Sequence, residues 1–146
     1  MSTATAPTPT ILIVDDDEGH AILIRENLRA AGLTNQIDHF QDGQAVLDFF
    51  ARTPRGPETY LVLLDIRMPK VDGIEVLRRF KADADLRKLP IIMLTTTDDS
   101  REVDRCHQLG CNGYIQKPVD YERFAEAIRR IGLFVPLLLV PQISSR

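Results

Sequence analysis

Short runs of β-branched and other apolar residues alternate along the chain with stretches whose apolar positions recur every three or four residues. Ile11 to Val14 is apolar without a break, the pattern of a strand covered on both faces. Ala21, Ile24, Leu28 and Ala31 follow at helical spacing, and Gly32 closes that helix as its C-cap. Ile37 to Phe40 reads as a second strand, and Asp42 as the cap of a helix carrying Val46, Phe49 and Phe50. A loop with Pro54, Gly56 and Pro57 leads to Leu61-Val62-Leu63-Leu64, a third buried strand. Ile74, Leu77 and Phe80 share one face of the next helix, and Pro90 precedes a fourth strand, Ile91 to Leu94. Asp98, Asp99 or Ser100 caps a helix that stops at Gly110, and Gly113 to Ile115 is a short fifth strand. Tyr121, Phe124, Ala125, Ile128 and Ile131 mark an amphipathic last helix.

Five repeats of strand then helix imply an α/β fold, a doubly wound parallel sheet with helices on both faces. Crossovers of this kind are right-handed. A chain of 146 residues with 44% hydrophobic content suits one domain with a real core. Residues 1–9 read as a flexible lead rich in Ser, Thr, Ala and Pro, residues 10–132 as the domain, and 133–146 as an apolar C-terminal arm. The lead lacks the basic and apolar segments of a signal peptide, and no apolar run reaches the roughly 20 residues of a membrane span. With 18 basic against 21 acidic residues, the net charge of −3 argues against nucleic acid as the main partner. Cys106 and Cys111 match no common zinc spacing and read as free thiols of a cytoplasmic protein.

In an open parallel sheet the ligand site lies beyond the carboxyl ends of the strands. The residues at those ends are Asp15, Asp16 and Asp17 after the first strand, Asp65 after the third, Thr95 after the fourth and Lys117 after the fifth. Carboxylates, a hydroxyl and an ammonium on one edge suit phosphoryl transfer. Carboxylates hold a hard divalent cation, and the cation with a lysine neutralises charge on the transferred oxygens. One carboxylate is left as nucleophile, giving an acyl phosphate. Three adjacent carboxylates repel, so helix capping alone does not account for Asp15 and Asp16; Asp17 is open to either capping or the metal. His20 reads as a rim residue, and His39 and His107 likewise have no assigned role.

Val14-Asp15-Asp16, Leu64-Asp65-Ile66-Arg67-Met68-Pro69 with Asp72-Gly73, Leu94-Thr95-Thr96, and Tyr114-Ile115-Gln116-Lys117-Pro118 resemble the signature blocks of bacterial response-regulator receiver domains. The resemblance covers about residues 10 to 132 and implies the flavodoxin-like strand order 2-1-3-4-5. It implies Asp65 as phosphoacceptor, and Mg²⁺ held by Asp15, Asp16, Asp65 and the backbone carbonyl of Arg67, with Asp16 the more direct ligand of the acidic pair. Thr95 and Lys117 would contact phosphoryl oxygens, Tyr114 would move inward as Thr95 is drawn to the phosphoryl group, and Pro118 would follow a cis peptide that aims the lysine. Thr96 takes a position that is usually small, a difference that would tune access to the site.

A haloacid-dehalogenase-like hydrolase would need a second aspartate two residues after the nucleophile, where this chain has Arg67. A dinucleotide-binding fold would need a glycine-rich turn after the first strand, and none is there. With only Leu133 to Arg146 after the last helix, no DNA-binding output domain is expected, and the chain would signal through protein contacts. Asp16 to His20, Thr95-Thr96-Thr97, Gly113 to Asp120 and the apolar tail resemble the stand-alone regulators of bacterial phytochrome histidine kinases. That resemblance implies a phytochrome-type sensor histidine kinase as partner. It also implies a homodimer through the last helix, the fifth strand and the arm; the arm could equally fold back over its own domain.

Overall fold

A computed structural model describes residues 8–53, 58–95, 99–116 and 121–135. The elements are β1 (Thr10–Val14), α1 (Glu18–Ala30), β2 (Ile37–Phe40), α2 (Gly43–Arg52), β3 (Tyr60–Asp65), α3 (Gly73–Ala82), β4 (Ile91–Thr95), α4 (Ser100–Leu109), β5 (Gly113–Gln116) and α5 (Tyr121–Phe134). A single 3₁₀ turn at Leu86–Lys88, which the hydrophobic pattern does not announce, leads into β4. The strands form one parallel sheet in the order β2-β1-β3-β4-β5, the flavodoxin-like arrangement.

Because successive strand residues point to opposite faces, the apolar runs divide between two cores. Leu12, Val14, Val62, Leu64, Ile91 and Met93 pack under α2, α3 and α4 with Val46, Phe50, Val76, Leu77, Phe80 and Cys106. Ile11, Ile13, Leu61, Leu63 and Leu94 pack under α1 and α5 with Ile24, Leu28, Phe124 and Ile128. β3 is buried along its whole length, as a central strand covered on both sides must be.

The last helix runs past the expected domain end at residue 132. Leu133 and Phe134 form its final turn, and Val135 is buried against the α1–α5 core. Gly132 does not stop the helix; it makes room. A Cβ there would lie 2.7 Å from the Cβ of Ala31, the C-cap of α1, so glycine lets the two helices touch. Any arm therefore begins after Val135. Thr96, Lys117, Pro118 and the tail from Pro136 lie outside the described residues.

Candidate phosphoryl-acceptor site

The register sets Val14 beside Leu64 and Asp65 beside Leu94, so β1, β3 and β4 finish together. Asp15 follows β1 and is fully buried, Asp65 ends β3 and is 6% exposed, and Thr95 ends β4 fully buried. Asp16 is exposed at the rim. Carboxylate oxygens of Asp15, Asp16 and Asp65 all lie within 4.8 Å of one another. Ionised groups this close repel by on the order of 3 kcal/mol per pair at the effective dielectric of a protein. Two of the three are buried, so a divalent cation bound by oxygen is the natural counter-charge.

Asp15 is fixed at three atoms. Its N–H donates to the Phe40 carbonyl (3.0 Å), its Oδ1 accepts from the Asp17 N–H (2.9 Å), and its carbonyl oxygen lies 2.7 Å from Nε2 of His39. Asp17 is the N-cap of α1, its Oδ1 accepting from the His20 N–H at 3.1 Å. His20 stands at the rim, with Nδ1 3.6 Å from Asp17 and its ring 6.2 Å from that of Phe124.

The turn after β3 is anchored at both ends. Ile66 and Met68 are buried in the α3-side core, while Arg67 between them is exposed. Asp72 caps α3 by accepting from the Glu75 N–H (2.9 Å), and the Gly73 N–H donates to the Ile66 carbonyl (2.7 Å). A Cβ on Gly73 would come within 2.0 Å of the Asp65 carbonyl oxygen, so only glycine lets α3 start this close to the strand end. The Arg67 guanidinium crosses to Glu102 on α4 (2.8 Å). This pair helps line a cleft of about 340 Å³ with Asp16, Ile66, Met68 and Asp72, the open side of the carboxylate cluster. At the start of α4, Asp99 caps the helix, and the hydrogen-bonded Arg101 guanidinium holds its carboxyl below the usual range.

Tyr114 pairs in register with Met93 and packs into the same core. Thr95 is two residues beyond Met93 on β4, so Thr95 and Tyr114 are diagonal neighbours on one face of the sheet. The structure thus brings together Asp15, Asp16, Asp65, Arg67 and Thr95, with Tyr114 behind them. Burial pushes the Cys106 thiol up to about 11, which keeps it protonated; Cys106 and Cys111 are both free. Sequence reasoning assigned no role to His39 and missed the side-chain pair of Arg67 with Glu102. Neither carries a local signal, since each partner is distant in sequence.

A parallel five-stranded sheet of this order, with acidic residues and a buried threonine at its carboxyl edge, defines a receiver-type signalling domain. The response regulator receiver domain model matches residues 11–129, and the chain belongs to that family. Among its relatives, the probable methanogenesis regulatory protein FilR2 of Methanothrix harundinacea is 36% identical over 83% of this chain and 79% of its own. Response regulator Rcp1 of Synechocystis is 29% identical over 92% of this chain and 93% of its own. A receiver domain from Rhodospirillum rubrum superposes with a TM-score of 0.88 at 44% identity, covering 93% of this chain and 99% of that one. The Mn²⁺-bound form of Rcp1 gives 0.82 at 27% identity, covering 91% and 99%. The bacteriophytochrome response regulator AtBRR gives 0.67 at 34%, covering 86% and 94%. Among the described residues no helix is long and apolar enough to cross a membrane.

Proposed function

We propose that the chain is a phosphorylation switch in which Asp65 accepts a phosphoryl group from the phosphohistidine of a sensor histidine kinase. The observation that carries this is the convergence of three carboxylates, two of them buried, beside a buried threonine at the ends of adjacent strands. Asp15, Asp16, Asp65 and the Arg67 carbonyl would hold Mg²⁺, which when bound neutralises negative charge on the acceptor and on the phosphoryl oxygens. An ionised oxygen of Asp65 attacks phosphorus; a P–O bond forms, the P–N bond to the kinase histidine breaks, and the imidazole leaves and takes up a proton. Thr95 donates its hydroxyl to one phosphoryl oxygen, and Lys117 approaches another as a point charge. Thr96 sets access, and Pro118 aims the lysine. As Thr95 is drawn inward Tyr114 follows it, altering the β5 side of the domain and the protein contacts made there.

The partner we favour is a phytochrome-type kinase, on the likeness to Rcp1 and to a bacteriophytochrome response regulator, and we assign the chain to the cytoplasm, where such kinases transfer phosphate. We also favour a homodimer built on α5, β5 and the segment after Val135. Leu133 and Phe134 are 65% exposed beside an apolar cleft of about 370 Å³ lined by Ile92, Ile115, Ala127, Arg130 and Ile131.

The decisive experiment follows labelled phosphate from an autophosphorylated phytochrome kinase onto the wild-type chain and onto Asp65→Asn. Label on the wild type that is lost in Asp65→Asn and abolished by EDTA is expected. An equally labelled Asp65→Asn chain would overturn the assignment, and undiminished transfer in excess EDTA would overturn the metal site.

A further inference from the structure

His39 stands on β2, the edge strand, and reaches the acidic corner from the side opposite Asp65. The register pairs Ile13 with His39 and Val14 with Phe40, and the Asp15 N–H still donates to Phe40. In a parallel ladder the carbonyl of Asp15 would next accept from the N–H two residues past Phe40. That residue is Asp42, the N-cap of α2, where the chain has already turned out of the sheet. The β1–β2 ladder thus ends at Asp15, which is buried from water. Nε2 of the His39 ring lies 2.7 Å from the Asp15 carbonyl oxygen. A carbonyl oxygen can only accept, so Nε2 of His39 carries the proton.

The peptide that His39 holds is the one joining Asp15 to Asp16. Its orientation sets where both carboxylates stand relative to Asp65. We propose that His39 is a positioning residue of the phosphoryl site, pinning the Asp15–Asp16 peptide so that the carboxylate pair is preset for a divalent cation. This rests on reading Asp15, Asp16 and Asp65 as that cation's site. Outer residues that orient metal ligands are worth about 10-fold or more in metal affinity when removed. His39 orients both ligands at once, through their shared backbone.

The test compares the full chain with His39→Leu, which has no donor, and His39→Gln, whose side-chain amide can donate from nearly the same place. Calorimetry with Mn²⁺ reads metal affinity, and phosphorylation by phosphoramidate at increasing Mg²⁺ separates metal affinity from the maximal rate. We expect His39→Leu to weaken Mn²⁺ binding about 10-fold and to raise the half-saturating Mg²⁺ by a similar factor. Its rate at saturating Mg²⁺ should stay near that of the wild type, and His39→Gln should recover most of the loss. Unchanged Mn²⁺ affinity in His39→Leu would overturn the proposal. So would a His39→Gln chain that is as weak as His39→Leu at equal thermal stability. If His39→Leu does not fold, the wild-type ring decides: ¹⁵N spectra of the neutral imidazole should show the Nε2–H tautomer, and the Nδ1–H tautomer would refute the bond. A wild-type chain that fails to bind Mn²⁺ would instead remove the metal reading, leaving the tautomer result to judge the bond alone.

Discussion

Lys70 has a φ of 68°, the only positive value at a non-glycine among the described residues. An L side chain in the left-handed region costs about 1–2 kcal/mol. Its ion pair with Asp42, at 3.6 Å and with the lysine largely in solvent, returns little of that. The conformation is imposed from outside: Met68 is buried before it, Asp72 caps α3 after it, and the Val71 carbonyl would lie 2.4 Å from a Cβ on Gly43. Lys70→Gly should change the unfolding free energy by less than about 1 kcal/mol, because relief of strain is offset by a freer unfolded chain. Lys70→Val should cost about 2 kcal/mol, since a β-branched residue is a true outlier there. Urea unfolding of both variants checks this; equal losses would show that the backbone at Lys70 is not strained.

Two glycines at helix ends show how differently one residue type can act at the scale of an element. Gly110 ends α4 at φ 93°, where the Cys111 N–H reaches back to the Cys106 carbonyl (3.1 Å), and an added Cβ would meet nothing closer than a Lys81 carbon at 3.5 Å. Gly110→Ala should therefore cost only the left-handed penalty of about 1 kcal/mol. Gly73 is a matter of space, because an added Cβ collides with the Asp65 backbone. Gly73→Ala should cost about 3 kcal/mol and slow phosphorylation as well, by displacing the end of β3 that carries the proposed acceptor Asp65. Denaturation and phosphoramidate kinetics on the two variants check the contrast; a Gly73→Ala chain with wild-type stability would contradict the close approach. Both glycines were visible in the sequence, the first as a helix stop and the second inside a family motif. Gly132, which looked like a boundary, is a contact between α1 and α5. Spacing along one helix does not reveal what another helix presses against it.

For the molecule as a whole, the open question is what covers β5 and α5. β1, β3 and β4 are buried almost completely, whereas three of the four residues of β2 and every residue of β5 remain partly exposed or exposed. An edge strand next to exposed Leu133 and Phe134 invites a second copy. Light scattering on the full chain should give a dimer, and a chain ending after Val135 should associate more weakly. That cut keeps the complete α5 and the buried Val135, so folding is not at issue. A full chain that stays monomeric at high concentration would exclude the interface.

The strands, their order of appearance and the carboxyl-edge positions of Asp15, Asp65 and Thr95 were legible in the sequence because a strand buried on both faces must be apolar throughout and its polar successors stand out. The cap Asp42 was legible too, since a capping carboxylate acts within three residues of its own position, whereas Asp17 stood open between cap and metal and Asp99 was one of three candidates. What only the tertiary structure decided are the contacts between residues far apart in the chain. The donor that His39 gives to Asp15 spans 24 residues, and the pair of Arg67 with Glu102 spans 35. The first exists because the sheet register brings a backbone carbonyl after β1 within reach of a side chain on β2, and the second because the turn after β3 comes up against α4. No local pattern of hydrophobic and polar positions encodes such a meeting.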